Sequence, residues 1–207
     1  MASVASPYGL KPVNLIGGQP YAGSVREIKL STNNSAALFN GDVIQLTSAG
    51  NPQALTATIT AGTTAGVIGV MTGCRYVNPG TKQPMWAQYV PANAITAGYT
   101  DVYIFVADDP DVVMQVQGSA AFGTLTNGAS GAIGKNAALG NFSAGSTATG
   151  NSAVNLTVGT NGASLASTAT LAVRVIGVVA GTETDTYPEL LVKFNAGAHS
   201  YDFATGV

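Results

Sequence analysis

Charge is what this sequence has least of. Of 207 residues, 8 are lysine or arginine and 10 are aspartate or glutamate, giving a formal net charge of -2 and a charged fraction of 9%. Ordinary soluble domains sit near 25%. No basic excess is present to neutralise phosphates, so nucleic acid is not an expected partner. A lone cysteine, Cys74, excludes an internal disulfide, so the chain is expected to be made in a reducing cytoplasm and held by packing alone. No apolar run reaches the roughly 18 residues of a spanning helix. The opening Met-Ala-Ser-Val-Ala-Ser-Pro-Tyr-Gly lacks the basic and apolar regions of a secretory signal. A membrane partner is therefore not expected either.

Chemistry is equally sparse. His199 is the only histidine, and no Gly-x-Ser-x-Gly elbow accompanies it, so no catalytic triad can be assembled by motif. His199 reads as an exposed or interface side chain. Cys74 reads as a small core residue beside a strand. No Cys or His pair is spaced for zinc, and no glycine-rich phosphate loop occurs. The expectation is no enzyme, no cofactor and no metal. Asp108, Asp109 and Asp111 place three carboxylates within four residues; they form either a turn cluster around Pro110 or a cation site.

What the chain does have is 46% hydrophobic residues, 26 glycines and an abundance of Thr, Ser and Asn, which together disfavour disorder. Short β-branched and aromatic runs recur at Val25–Leu30, Val43–Thr47, Ala54–Ile59, Val67–Thr72, Met85–Val90, Val102–Ala107, Val112–Gln117, Val154–Val158, Leu171–Val179 and Leu190–Phe194. Turn chemistry separates them, for example Asn40-Gly41, Asn78-Pro79-Gly80 and Asn161-Gly162. Sustained helical periodicity is absent. The pattern predicts an all-β fold, an antiparallel β-sandwich or barrel. Trp86, on an alternating strand, is expected in the core.

Three divisions follow. Residues 1–24 carry Pro7, Pro12 and Pro20 among glycines, yet include Tyr8, Leu10, Val13, Ile16 and Tyr21. They read as an extended N-terminal arm that lays apolar side chains on another surface or folds back on its own domain. Residues 25–195 form the β-sandwich domain, interrupted at 118–170 by a long Gly/Ser/Thr/Asn-rich excursion. That excursion is expected to hold one or two short strands, with a helical turn near Asn136–Leu139, anchored by Phe122, Leu125, Ile133, Leu139, Phe142, Leu156 and Leu165. Residues 196–207 form a C-terminal tail. An echo, Val67-Ile68-Gly69-Val70 and Val175-Ile176-Gly177-Val178, suggests equivalent strands in two sheets.

Three stretches together resemble a known family. They are Ser6-Pro7-Tyr8-Gly9-Leu10-Lys11-Pro12-Val13 with Gly18-Gln19-Pro20-Tyr21-Ala22-Gly23; then Val106-Ala107-Asp108-Asp109-Pro110-Asp111-Val112-Val113-Met114-Gln115-Val116-Gln117; then the series Gly134-Lys135-Asn136-Ala137, Thr149-Gly150-Asn151-Ser152, Leu171-Ala172-Val173-Arg174-Val175-Ile176-Gly177 and Leu191-Val192-Lys193-Phe194-Asn195. In order and spacing they are similar to tailed-bacteriophage head decoration, or capsid cement, proteins. The resemblance implies a jelly-roll-like β-sandwich that works as a dimer or trimer on the outer surface of the virion capsid. Its implied partners are the phage major capsid protein and further copies of itself. On this reading Tyr8, Leu10, Pro12, Val13 and Tyr21 are the expected arm contacts with the capsid. The alternative from composition is a receptor- or glycan-binding β module of a tail fibre or spike, although the long repeats or heptads usual in fibres are missing.

Overall fold

The computed structural model describes residues 4–57, 66–123, 131–142 and 144–202. The regular secondary structure of the described residues is almost entirely β-strand. A first sheet has the order β1 (Lys11–Leu15), β10 (Val112–Gln117), β14 (Glu189–Phe194), β13 (Val173–Val178), β11 (Asn136–Gly140) and β12 (Asn155–Thr157). A second has the order β2 (Arg26–Lys29), β9 (Thr100–Ala107), β6 (Val67–Val77), β4 (Val43–Leu46) and β5 (Pro52–Ala54), with β7 (Pro84–Ala87) also on β6. A short pair, β3 (Leu38–Phe39) with β8 (Tyr89–Val90), lies apart. All strand pairs are antiparallel, and partners such as β1–β10 and β2–β9 are distant in sequence. Pairings of this kind tie distant parts of the chain into one antiparallel β-sandwich.

Alternation explains the layers. In β14, Leu190, Val192 and Phe194 point inward while Glu189, Leu191 and Lys193 are half-buried on the outer face. The inward set joins Val112, Met114, Val116, Val173 and Val175 in the core between the sheets. The second sheet is covered on both faces along its first half. Val43, Val67 and Val70 enter the inter-sheet core, whereas Ile44, Ile68, Met71 and Cys74 enter a second core closed by Leu38, Val90 and Ala94. Each such aliphatic side chain contributes about 1.5–3 kcal/mol on burial. No residue of β6 beyond Val70 belongs to the inter-sheet core, so that face of the second sheet is left open toward its end.

The N-terminal segment folds back on its own domain. β1 pairs with the edge of β10, with Lys11 opposite Gln115 and Pro12 opposite Met114. Residues 14–20 then turn tightly, and the Tyr21 N–H donates to Val13. Upstream, the buried Gln117 side chain receives the Ser6 N–H at 3.0 Å and donates to the Val4 carbonyl at 3.2 Å. Leu10 is 1% exposed within the inter-sheet core. Its neighbour Gly9 (φ +81°) lies against the Asn40-Gly41 turn so closely that an added Cβ would stand 2.5 Å from the Gly41 carbonyl oxygen.

Within the excursion, Asn136–Gly140 is strand β11 and not a helical turn. Alternation buries Ala137 and Leu139, which a helix would splay around its axis. Phe122, Leu139, Leu156 and Leu165 are buried anchors and Phe142 is partly buried, but Ile133 is 50% exposed and Leu125 lies outside the described residues. The two Val-Ile-Gly-Val runs fall one in each sheet, in β6 and β13, with irregular register at or beside the glycine in both.

Candidate interaction surface

The expected arm residues are brought together along β10, but seated on this domain. The Tyr8 hydroxyl donates to Glu189 Oε2, which also accepts from Gln115 Nε2 at 3.2 Å, and Lys11 Nζ lies 4.1 Å from the Tyr8 ring centre. Burial first and Glu189 second push the Tyr8 hydroxyl far above its usual acidity range. Tyr8, Pro12, Val13 and Tyr21 remain half-buried, and Tyr21 donates to the Ser24 carbonyl at 2.6 Å. Leu10 is the correction among the five. Being enclosed in its own core, it has no surface to offer a partner.

The aspartates do not converge on one point. Asp108 binds Arg26 at 2.8 Å and accepts from the Tyr201 hydroxyl at 2.9 Å. Asp109 accepts the Asp111 N–H at 2.8 Å, an Asx turn around Pro110. Asp111 instead pairs with Lys193 at 2.6 Å. Turn formation and three separate partners account for the cluster, and among the described residues no grouping of His, Cys, Asp and Glu is arranged for a metal. Likewise, among them no helix is long and apolar enough to cross a membrane.

The feature that sequence reading misplaced is Trp86. It is 71% exposed, not buried. On β7, Ala87 turns toward the second core opposite Cys74, so Trp86 must turn the other way, onto the open face. Register then lines up a row across four strands: Trp86 opposite Arg75, Arg75 opposite Tyr103, and Tyr103 opposite Lys29. Phe105 and Glu27 form the adjoining row. The Arg75 guanidinium is ion-paired with Glu27 and lies 4.1 Å from the Tyr103 ring centre, so it is held in place on both sides. Aromatic residues and arginine are the types enriched at the centres of protein interfaces. Alternation in Met85-Trp86-Ala87 shows that two faces exist; it does not show which one is covered.

Two buried ionisable groups were also hidden from the sequence. His199 is 1% exposed, its Nδ1 accepting the Tyr201 N–H at 3.3 Å and its ring near Phe194 and Tyr201. Its backbone is bridged to Val67, and Ser200 donates to the Gly66 carbonyl, so the tail is latched onto β6. The tail's role is therefore at least partly structural up to Asp202. Burial lowers the His199 pKa, with Asp202, Asp108 and Asp109 opposing. Asp42 is 1% exposed and accepts the Phe39 N–H at 2.8 Å. Burial raises its carboxyl to about 6, against the lowering effects of Ser152 and that N–H. Cys74 is buried as expected, with its thiol pushed up to about 12 by burial.

Opposite pH slopes follow. Asp42 binds its proton more tightly folded than unfolded, so its contribution is complete below about pH 4 and is lost as pH rises through 6, about 2–3 kcal/mol in all. His199 binds its proton less tightly when folded, so its contribution is present above about pH 6.5 and is lost on acidification. In Asp42→Asn, melting temperature measured between pH 5 and 7.5 is expected to stop declining toward neutrality. The slope remaining in that variant should then be the opposite one, a loss of stability on the acid side. A wild-type decline toward neutrality that persists in the variant would refute the assignment to Asp42.

No protein-family model, curated protein or solved structure matches this chain.

Proposed function

We propose that the chain is a non-enzymatic structural virion protein that decorates an assembled phage capsid and bridges neighbouring major capsid protein subunits. The observation that carries this reading is the open face of the second sheet, where exposed Trp86 stands beside the prearranged Arg75, Glu27 and Tyr103. Low charge over the rest of the chain supports it, since a free monomer ordinarily relies on charge to stay apart from its neighbours. The family resemblance gives the partner. Many modest contacts repeated on a closed shell supply avidity, and binding only the assembled form stabilises that form by mass action. Dimers or trimers of the chain would extend the same logic.

The glycan-binding reading has one observation in its favour, the aromatic side chains on a flat sheet face. Against it, Arg75 covers the Tyr103 ring, leaving Trp86 as the only ring of that row plainly open to a sugar. Co-sedimentation with expanded heads, with unassembled capsid protein as control, tests the decoration reading. Binding to heads alone is the expected result. Failure to bind heads, together with reproducible signals on a glycan array, would reverse the choice.

A further inference from the structure

On the outer face of the first sheet, β13 and β14 place Arg174 directly opposite Lys193. Like charges facing across a strand pair are destabilising, and only 8 cations exist in the whole chain. The pair lines a groove of about 350 Å³, together with Ile16, Asn136, Ile176 and Asn195. Lys193 is partly offset by Asp111 at 2.6 Å. Arg174 has no carboxylate within 4 Å among the described residues. Its Nε instead donates to Asn136 Oδ1 at 3.0 Å. Asn136 is itself 3% exposed and tied by its Nδ2 to the Thr168 carbonyl at 3.0 Å. A buried amide thus orients the guanidinium through one nitrogen, and its two terminal nitrogens make no hydrogen bond to any described residue.

We infer that this groove is a socket for a single carboxylate, a glutamate or aspartate side chain on an extended segment of another protein. The planar guanidinium fork matches a carboxylate in two-point geometry. Arg174, Lys193 and Asp111 sum to one positive charge, which suits a monoanion better than a phosphate dianion. Ile16 and Ile176, which also line the groove, suit the methylenes of an acidic side chain and offer nothing to a hydrated inorganic ion. The site lies on the opposite sheet from Trp86 and does not depend on the capsid reading. Two separate faces would nevertheless let one chain touch two neighbours.

The test is an amide NMR titration of the full chain with the acetylated, amidated peptide Ala-Leu-Glu-Leu-Ala, its Gln counterpart, and inorganic phosphate. The Glu peptide is expected to shift Arg174, Lys193 and Asn195, with the Gln peptide at least tenfold weaker. Arg174→Gln should weaken the Glu peptide by a similar factor. Should that variant misfold for want of the Asn136 contact, Lys193→Gln should show the loss instead. Equal response to the Glu and Gln peptides, no response, or tighter binding of phosphate would overturn the inference. Shifts at the same amides that grow with protein concentration alone would assign the groove to a second copy and overturn it equally. Because the probe is a free peptide, neither result depends on whether the chain binds heads.

Discussion

Gly9→Ala is expected to lower the melting temperature by roughly 6–28 °C, somewhat more than the roughly 4–20 °C of Leu10→Ala. At φ +81° a β-carbon costs about 1–2 kcal/mol on its own. This one would also meet backbone, not a flexible side-chain tip, at 2.5 Å from the Gly41 oxygen. Neither side can yield, because Gly41 donates to the Met71 carbonyl and accepts from the Leu10 N–H at 3.0 Å. Relief comes only by lifting the segment, which pulls Leu10 out of the core. Emptying a buried leucine site costs about 2–5 kcal/mol, and each kcal/mol is about 2–4 °C in a domain of this size. Since both variants break one docking event, the double variant should be markedly less destabilised than the sum. Additive effects, or a Gly9→Ala melting curve like the wild type's, would show that the segment is not seated as described. The same geometry means that deleting residues 1–23 would remove an edge strand and the buried Leu10, and so would disturb the fold as well as any docking.

Trp86→Ala should act in the opposite manner, leaving stability nearly unchanged while removing most of the affinity for heads. An exposed side chain at 71% has little folding energy to lose. Truncating a tryptophan at the centre of an interface commonly costs about 2 kcal/mol or more, some 30-fold in affinity. If several copies bind together, the loss at each site compounds. A titration of heads against labelled chain, run beside a thermal melt, separates the two effects. Undiminished binding would remove the open face from the proposal.

Much of the fold was legible because it rests on local pattern. Alternating runs such as Val112–Gln117 and Leu190–Phe194 matched strands almost to the residue. The β class followed from them. The N-terminal segment was legible in part: its apolar content demanded a surface, but only register shows that the surface is β10 of its own domain. The helical turn expected at Asn136–Leu139 failed because a run of four residues is too short to show a distinctive period. The interaction surface was the least legible. Trp86, Arg75, Tyr103 and Lys29 lie on four strands, and nothing local to any of them announces the others. Asp42 and His199 were equally hidden, since burial of an ionisable group is a property of the assembled layers and not of its sequence neighbours.

On the proposed function, this chain sits on the outside of a continuous capsid shell. Imaging purified virions by electron cryomicroscopy, at a resolution that separates neighbouring subunits, tests it most directly. The expected result is density for the β-sandwich on the outer surface, touching more than one capsid subunit, with the Trp86 face turned toward the shell. Finding the chain in a tail fibre or spike, or absent from the head, would contradict it.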